Sequence, residues 1–550
     1  MLAALGEFLW SPTVAASQFR FLPSRTSSPP SHDIRENIND VISSIHALQK
    51  IGGTAGMSVG VVKHGEILLE HHLGFADVEN QRVAESTTRY PIGSLSKSFV
   101  AATVGQLVHE GHLQWDEPIT TYLPELSSIT GPMPADQLTL IDLLSHQTGL
   151  PALDAIWLGA NNEVNIPKDF TVALCKHLPA LYSPRFKWFY NNWMYALAGE
   201  IIERVTSLSW GQVLESRVLS QVNLSQTSVI ESEIPAGSTA LPYAILDDKT
   251  QWRIGDVGLT DGTPMSPAGG IRSTLHDLLL WGGHLLSVLE GEASPLHQLD
   301  NLLSGHSFIN RSASFDELYG LGFAKVTLPA QFGKTEFNPG LVKAMPVIGS
   351  KSNSNLVFYH NGALPGYNHC IILLPREQIA IVVLTNSISQ GDIADWVAQT
   401  LLQAVLNLET RIDILPIAEE TANKWRTGYQ NIFETLKREQ IPNTPQPSAE
   451  KLIGTYVHST KAFFFNVYEE GGIIKFSIND KASQTHALNH YHNDTFSFFP
   501  SAEERMKRGL FHYGTHAWLL NFKRNDQGDI EKLTWVIDDS LPEGEVLTKV

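Results

Sequence analysis

The stretch RYPIGSLSKSFVAATVGQLVHEGHLQWDEP, residues 89–118, places a serine and a lysine three residues apart at the start of a helical pattern. From Val100 onward, apolar residues recur at i, i+4, i+7 and i+8, which predicts one apolar face of an amphipathic helix. Gly111 is expected to end that helix. Ser94 and Lys97 would then be neighbours, because side chains three positions apart on a helix have Cβ atoms roughly 5–6 Å apart.

The chemistry of this pair would suit a nucleophile and its base. At the first turn of a helix, Ser94 would lie where backbone N–H groups point outward and favour an oxyanion. A serine hydroxyl is a poor nucleophile that needs an adjacent base, and a desolvated lysine with a lowered pKa can be that base. The same spacing also arises by chance. Ser96 competes as a nucleophile, but its spacing brings it to no base.

The composition is that of an ordinary globular protein, since 43% of the 550 residues are hydrophobic and 17% are charged. This length predicts two to four domains. The formal net charge of −18 argues against a nucleic-acid partner, because phosphate binding needs basic patches. No uninterrupted apolar run approaches the ~18 residues of a membrane span. Two cysteines, Cys175 and Cys370, are too few for a disulfide framework, although the sequence leaves open a single disulfide bond between them. We expect a cytoplasmic protein, with secretion left open.

Strand-like runs occur early and late in the chain, with helices between them. Residues 56–77, GMSVGVVKHGEILLEHHLGFAD, predict a hairpin. The runs NLVFYHNG, NHCIILLP and IAIVVLTN, between residues 355 and 386, predict three more strands, and a helix follows at residues 392–408. We therefore predict an α+β fold: one antiparallel sheet, with edges from both ends of a domain and a helical insertion.

The pattern changes near residue 411, which divides the chain. We predict an N-terminal tail at residues 1–38, a first domain at 39–410 and a helix with a linker at 411–447. Residues 448–550 alternate in short β-type runs at regular spacing, which predicts a small β-barrel or sandwich.

Two further motifs follow the Ser-x-x-Lys pair in a set order. Tyr-Asn-Asn at residues 190–192 precedes a predicted helix, and His-Asn-Gly at residues 360–362 ends a predicted strand. Together the three motifs resemble those of the penicillin-recognising serine hydrolases, which include class C β-lactamases, D,D-carboxypeptidases, D-aminopeptidases and related esterases. The resemblance covers roughly residues 40–408. It implies a β-lactamase-like, transpeptidase fold.

The resemblance also implies a role for each residue of the first two motifs. Ser94 resembles the acylated nucleophile of the family and Lys97 its proton acceptor. Tyr190 resembles the tyrosine that acts as general base and acid, with a phenolate favoured by Lys97. Asn192 would bind the substrate amide and steady Lys97.

The third motif is where the chain departs from the β-lactamases. His360 stands where they usually have the lysine that holds the substrate carboxylate, and histidine there is more typical of D-aminopeptidases and esterases. A neutral imidazole binds a carboxylate weakly, so the departure argues against antibiotic hydrolysis. Gly362 would let substrate approach the strand edge. The backbone N–H groups of Ser94 and Ala363 would form the oxyanion hole.

The function that follows is a serine hydrolase acting through an acyl-enzyme on an amide, such as a D-amino-acid peptide, or on an ester. The substrate would be a small molecule or short peptide. Two alternatives stay open: an acyltransferase that modifies a secondary metabolite, and a catalytically inactive binding protein. Some peptidases of the family carry a lipocalin-like C-terminal barrel that would restrict access or hold a homo-oligomer together. No cofactor or metal is expected, since His486, His490 and His492 are interpreted as solvated side chains.

Overall fold

The computed structural model describes residues 33–127, 132–311, 316–351, 354–510 and 514–550. Helices and mostly antiparallel strands are interspersed before residue 440, as predicted. The strands of this part are β1 (Gly56–Lys63), β2 (Glu66–Asp77), β3 (Arg82–Val83), β4 (Arg89–Pro91), β5 (Tyr243–Ile245), β6 (Gln251–Arg253), β7 (Arg272–Thr274), β8 (Ser307–Asn310), β9 (Glu317–Tyr319), β10 (Ala324–Thr327), β11 (Leu356–Leu364), β12 (Tyr367–Leu374), β13 (Ile379–Thr385) and β14 (Ser387–Ile388).

Helices of the same part precede, interrupt and follow the strands. They are α1 (Ile34–Asp40), α2 (Ile42–Gly52), α3 (Ser96–His109), α4 (Leu140–Leu144), α5 (Asp154–Trp157), α6 (Thr171–His177), α7 (Asn192–Thr206), α8 (Trp210–Leu214), α9 (Ser266–Gly269), α10 (Leu275–Leu289), α11 (Leu299–Leu303), α12 (Asn338–Leu341), α13 (Ile393–Val405) and α14 (Leu415–Glu439).

The central sheet is antiparallel and runs in the order β3-β2-β1-β13-β12-β11-β10-β9-β8. β1 pairs with β13, with Val59 opposite Val383, so the first hairpin lies beside the last long strand. The prediction that both ends of the domain supply the edges is therefore wrong. One edge is the N-terminal β3, and the other is β8, which follows the helical insertion.

Helices cover both faces of this sheet, and its inner strands are buried on both sides. In β13, Ala380, Val382 and Leu384 belong to the core shared with α10, whereas Ile381 and Val383 belong to the core shared with α13. Successive side chains of a strand point to opposite faces, so an unbroken apolar run fits a strand enclosed by two helical layers.

Helix α3 is buried on every side. All residues from Ser96 to Leu107 are buried, whereas the sequence pattern predicted a single apolar face. The helix packs against α7, α9 and α11, so other helices enclose it. Its polar side chains are small or internally bonded; Thr103 Oγ1, for example, donates to the carbonyl oxygen of Phe99 at 2.9 Å. Lys97 therefore enters the interior of the molecule.

The C-terminal strands form a second sheet in the order β18-β17-β16-β15-β23-β22-β21-β20-β19. Only Leu488 separates β18 from β19, the two outermost strands, so the sheet curls into the predicted, nearly closed barrel. Its elements are β15 (Gly454–His458), β16 (Phe464–Glu470), β17 (Ile473–Ile478), β18 (Thr485–Ala487), β19 (Asn489–His492), β20 (Thr495–Ser497), β21 (Leu519–Arg524), β22 (Ile530–Trp535) and β23 (Glu545–Lys549), with helices α15 (Ala449–Leu452) and α16 (Ala502–Lys507).

Most of the predicted tail, residues 1–38, lies outside the described residues. Its last part does not behave as a tail, because α1 begins at Ile34 and the side chain of Ile38 is buried. The predicted helix after residue 411 is α14. The domain boundaries at residues 410 and 447 stay a prediction.

Two further expectations concern the cysteines and the membrane. Cys175 and Cys370 are both buried and carry free thiols, so the bridge left open by the sequence is not formed. Across the described ranges, no helix has the length and apolarity needed to cross a membrane.

Candidate active site

Ser94 lies on a short 3₁₀ turn, Gly93–Leu95, that leads directly into α3. Gly93 has a φ of +54°, a conformation that residues with a side chain rarely adopt. A Cβ atom at Gly93 would also lie 2.9 Å from the backbone nitrogen of Ala363. The glycine lets this turn approach the end of β11 closely, and Ser94 is thereby held beside the backbone of Ala363.

Gly362 has a different role from the one expected. Its missing side chain makes room for protein rather than for substrate, because a Cβ atom there would lie 2.3 Å from the carbonyl oxygen of Ile92. The same atom would lie 3.2 Å from Cγ of Leu95. Gly362 therefore seats the turn that carries Ser94 against β11.

Lys97 is fully buried, and its Nζ has three oxygen neighbours. Ser94 Oγ lies at 3.0 Å, Asn192 Oδ1 at 2.8 Å and the carbonyl oxygen of Ala268 at 2.9 Å. Burial lowers the pKa of Lys97 to about 7, although the carboxylate of Asp154 favours the charged form. At neutral pH a substantial fraction of this amine is uncharged, unlike that of an exposed lysine.

The partners of Lys97 decide where its lone pair points when the amine is uncharged. Asn192 Oδ1 and the carbonyl oxygen of Ala268 only accept hydrogen bonds, so they take the two N–H groups of the neutral amine. The lone pair is left for Ser94, the one partner whose group can also donate. This arrangement directs the Ser94 proton towards nitrogen, as a serine nucleophile and its base require.

Asn192 is held in this orientation by Asp154, which the sequence did not single out. Asn192 is the first residue of α7, and Asn191 caps the helix by accepting a hydrogen bond from the backbone nitrogen of Trp193. Asn192 Nδ2 donates to Asp154 Oδ1 at 3.0 Å, so its Oδ1 faces Lys97. Asp154 lies 38 residues before Asn192 and in none of the three motifs, so no spacing pointed to it.

Tyr190 approaches Ser94 from a second direction. Its hydroxyl donates to Ser94 Oγ at 2.8 Å, and Lys97 Nζ lies 4.9 Å from the centre of its ring. Burial raises the pKa of Tyr190 well above its ordinary value. The shift is opposite to the phenolate that the resemblance implied, so the group beside Ser94 is a protonated phenol, ready to donate.

His360 lies in β11 but is enclosed, with 1% of its surface exposed, and it lines neither of the cavities beside Ser94. Nδ1 lies 2.5 Å from the carbonyl oxygen of Asn361, so this nitrogen carries the proton. Nε2 then accepts from the hydroxyl of Tyr319 at 2.8 Å. Burial and the nearby charge of Lys97 lower the pKa of His360 to about 3, so the ring is neutral. It packs behind Tyr190 rather than facing a substrate.

His146 is a second buried histidine beside Tyr190, and the sequence assigned it no role. Its ring centre lies 4.2 Å from that of Tyr190 and 4.9 Å from that of Tyr319. Nδ1 accepts from the backbone nitrogen of Asn191 at 3.1 Å. Burial and the charge of Lys97 hold the pKa of His146 well below its ordinary value, so it is neutral. The ring fixes the position of Tyr190 by packing.

Two cavities open beside Ser94. The smaller, about 110 Å³, is lined by Ser94, Asp154 and Asn192 among others. The larger, about 440 Å³, is lined by Tyr190 and extends to side chains of α14 and α16. Ala363 and Leu364 line both cavities, which therefore adjoin at the end of β11.

A set of possible metal ligands lies where α6 meets the barrel. Glu545 Oε2 lies 3.1 Å from His177 Nε2 and 2.8 Å from His458 Nε2. The histidines considered in the sequence analysis are different ones, between residues 486 and 492, and they are interpreted there as solvated. That interpretation is wrong for His486, which is buried with its ring centre 5.2 Å from that of Phe476.

Comparison with known sequences supports the family suggested by the motifs. The sequence model of the family described as Beta-lactamase matches residues 41–404. The Unguisins hydrolase ungD of Aspergillus violaceofuscus is 24% identical over 372 residues, which cover 66% of this chain and 63% of the relative. Protein flp of Staphylococcus aureus strain N315 is 24% identical over 356 residues, 64% of each chain. The chain thus spans less than two thirds of the length of these relatives.

Solved structures show the same fold. The octameric penicillin-binding protein homologue from Pyrococcus abyssi has a TM-score of 0.55 at 19% identity, covering 93% of this chain and all of that one. A class C β-lactamase from Rhodobacter sphaeroides has a TM-score of 0.53 at 20% identity, covering 67% of this chain and 99% of that one. With residues 41–404 matched and the fold shared, the chain belongs to the Beta-lactamase family.

Proposed function

We propose that the protein is a serine hydrolase that cleaves an amide or ester bond of a small molecule or short peptide through an acyl-enzyme on Ser94. The observation that carries this proposal is the pair of neighbours of Ser94 Oγ, Lys97 Nζ at 3.0 Å and Tyr190 OH at 2.8 Å. One is an amine with a pKa of about 7 and the other a protonated phenol. A base and an acid on either side of one hydroxyl are what acyl transfer needs.

In the acylation step, Ser94 Oγ attacks the carbonyl carbon and its proton passes to the lone pair of Lys97. The carbonyl π electrons move to oxygen, and the backbone N–H groups of Ser94 and Ala363 donate to the resulting oxyanion. As the bond to the leaving nitrogen or oxygen breaks, Tyr190 donates its proton to that atom. The proton held by Lys97 then replaces the one lost by Tyr190, and the ester on Ser94 remains.

Deacylation reverses these roles with water as the nucleophile. The water loses a proton to the Tyr190 and Lys97 pair, the bond to Ser94 Oγ breaks, and Ser94 recovers its proton as the acid leaves. An alcohol or amine in place of this water would make the site an acyltransferase. The complete set of hydrogen-bonded groups around Ser94 argues against the third alternative, an inactive binding protein.

The test is hydrolysis of short p-nitrophenyl esters, D-amino-acid amides and acyl-thioesters by the wild type and by Ser94→Ala and Ser96→Ala. Ser96 is the matched control, because its Oγ accepts from the backbone nitrogen of Ile271 at 3.2 Å and does not reach Lys97. We expect Ser94→Ala to abolish turnover and Ser96→Ala to retain it. Activity retained in Ser94→Ala would refute the proposal. Product masses with and without an added alcohol separate hydrolysis from acyl transfer.

The homo-oligomer implied by the resemblance is also a proposal. The penicillin-binding protein homologue from Pyrococcus abyssi is described as octameric, which supports this proposal. Light scattering coupled to size-exclusion chromatography tests it, with a mass above that of the 60.8 kDa chain expected and a monomer as the contrary result. Cytoplasmic localisation stays a prediction.

A further inference from the structure

The larger cavity is built from several parts of the chain that lie far apart in sequence. Tyr190 and Trp188 come from the segment before α7, Leu364 from the end of β11, and Trp425 from α14. A fourth wall comes from the C-terminal region, in and after α16. Most of these walls are aromatic or aliphatic, so the body of any group bound here is apolar.

One charged side chain stands out in this lining. Arg505, on α16, is only 4% exposed. Its guanidinium lies over the rings of Tyr429, at 4.7 Å from the centroid, and Trp425, at 5.7 Å. Nη2 contacts Met506 Sδ at 3.2 Å. These contacts hold the group in place, but none of them supplies a negative charge.

Arg505 makes no salt bridge within the described part of the chain, although the more distant carboxylate of Asp247 acts on its charge. No carboxylate there comes within 4 Å of its guanidinium, and its Nε makes no hydrogen bond to a described residue. The other arginine of the segment, Arg508, is satisfied differently, by the carbonyl oxygens of Ser483 and Thr485. A buried cation without a directly paired counter-ion is costly, and burial accordingly lowers the pKa of Arg505 to about 10, although Asp247 partly offsets this. An anion that pairs directly with the guanidinium would relieve that cost.

The other ionisable groups of the cavity do not neutralise Arg505. Glu336 lines it as well, but burial and the neighbouring Asp392 and Asp395 hold the pKa of Glu336 well above its ordinary value. Burial and these neighbours thus disfavour the charged form of Glu336. Lys334 adds a second positive group to the lining rather than a negative one.

We propose that this cavity binds the part of the substrate that is not cleaved, and that this part is an apolar group ending in a carboxylate paired with Arg505. The inference deepens the proposed function and rests on it. Tyr190 lines the cavity while its hydroxyl lies 2.8 Å from Ser94 Oγ, so a group bound here is continuous with the reacting carbonyl. His360 is neutral and enclosed, which leaves carboxylate recognition to another residue.

A binding experiment tests the pairing without any need for turnover. Titration calorimetry compares ω-phenylalkanoates of four to eight carbons with the corresponding amides, which have the same shape without the charge. We expect at least one chain length at which the wild type binds the carboxylate tenfold or more tightly than the amide, because a guanidinium and a carboxylate form charge-assisted hydrogen bonds. Equal binding of both series, or tighter binding of every amide, would overturn the inference.

Variants locate the effect. Arg505→Met should remove the preference for the carboxylate, Arg505→Lys should keep part of it, and Arg508→Met, the matched control, should keep all of it. A preference that survives in folded Arg505→Met would show that another group binds the anion and would overturn the inference. If Arg505→Met does not fold, the preference of Arg505→Lys and of the wild type for carboxylate over amide still tests the inference. Failure of the proposed function gives a different result. In that case the wild type binds these carboxylates but does not turn over esters.

Discussion

Lys97 owes its low pKa to complete enclosure by the protein, and the charge of Asp154 only partly offsets this. In the proposed mechanism the uncharged amine is the active form. kcat/KM for a neutral ester should therefore rise with pH, about tenfold per unit well below pH 7, and level off above it. Lys97→Ala should lower turnover by roughly 10³-fold or more, since such groups act together. A profile that is flat between pH 5 and 8 would contradict the role of Lys97.

Tyr190 gives a second prediction, because its hydroxyl is a donor at neutral pH. Tyr190→Phe keeps the ring that packs on His146 but removes the proton for the leaving group. We expect kcat to fall by about 10²–10⁴-fold for amides. Activated p-nitrophenyl esters should be affected less, because their leaving group departs without a proton. An equal loss for both substrate types would argue that Tyr190 acts only by positioning Ser94.

The residues of the site differ in how far the sequence could reveal them. Ser94 and Lys97 are neighbours on one helical turn, so their spacing alone suggested the pair. Asp154, in α5, orients Asn192, and Ala268, in α9, accepts a hydrogen bond from Lys97; both are distant from Lys97 in sequence, and neither residue type is distinctive there. The burial of Arg505 likewise depends on how α16 packs on the first part of the chain, which no local pattern encodes.

At the scale of elements, the turn before α3 and the strand β11 act as one unit. Gly362→Ala would push a methyl group into the carbonyl of Ile92 and displace the turn that carries Ser94. We expect a loss of about 1–3 kcal/mol in the free energy of unfolding, measured by urea denaturation, together with a large loss of turnover. Gly283→Ala, within α10 and with open space around it, is the control. It should leave activity intact, and equal effects of the two changes would contradict this account.

The strands were easier to predict than the environment of the helices. The hairpin of β1 and β2 and the run β11–β13 followed from apolar runs separated by turns. The burial of α3 did not, because Ser96, Thr103 and Gln106 look like a polar face. These side chains are covered by neighbouring helices, and their polar atoms form hydrogen bonds inside the protein. Both features arise only in the tertiary structure.

At the scale of the whole molecule, Glu545 joins the barrel to the first part of the chain. Its carboxylate contacts His458 within the barrel and His177 at the end of α6. These contacts lower the pKa of Glu545 to about 2, despite its burial. An acid whose pKa is depressed in the folded state contributes stability above its unfolded value, near 4.5. That contribution, about 3 kcal/mol, is lost as the pH falls from about 4.5 towards 2.

Glu545→Gln tests this connection. At pH 7 the change should lower the free energy of unfolding by up to about 3 kcal/mol and flatten its dependence on pH below 5. Glu531→Gln, at an exposed position of β22, is the matched control and should change little. Thermal melts of the three proteins between pH 3 and 7 supply the measurement. An identical pH dependence in the wild type and Glu545→Gln would show that Glu545 does not hold the two parts together.

The central claim is that Ser94 is the residue that becomes acylated. A fluorophosphonate reacts covalently with an activated serine, and digestion followed by mass spectrometry identifies the labelled residue. We expect one label per chain, on the peptide that contains Ser94, and none in Ser94→Ala or after heat denaturation of the wild type. A label on Ser96 or on any other residue, or labelling that persists unchanged in Ser94→Ala, would contradict the account.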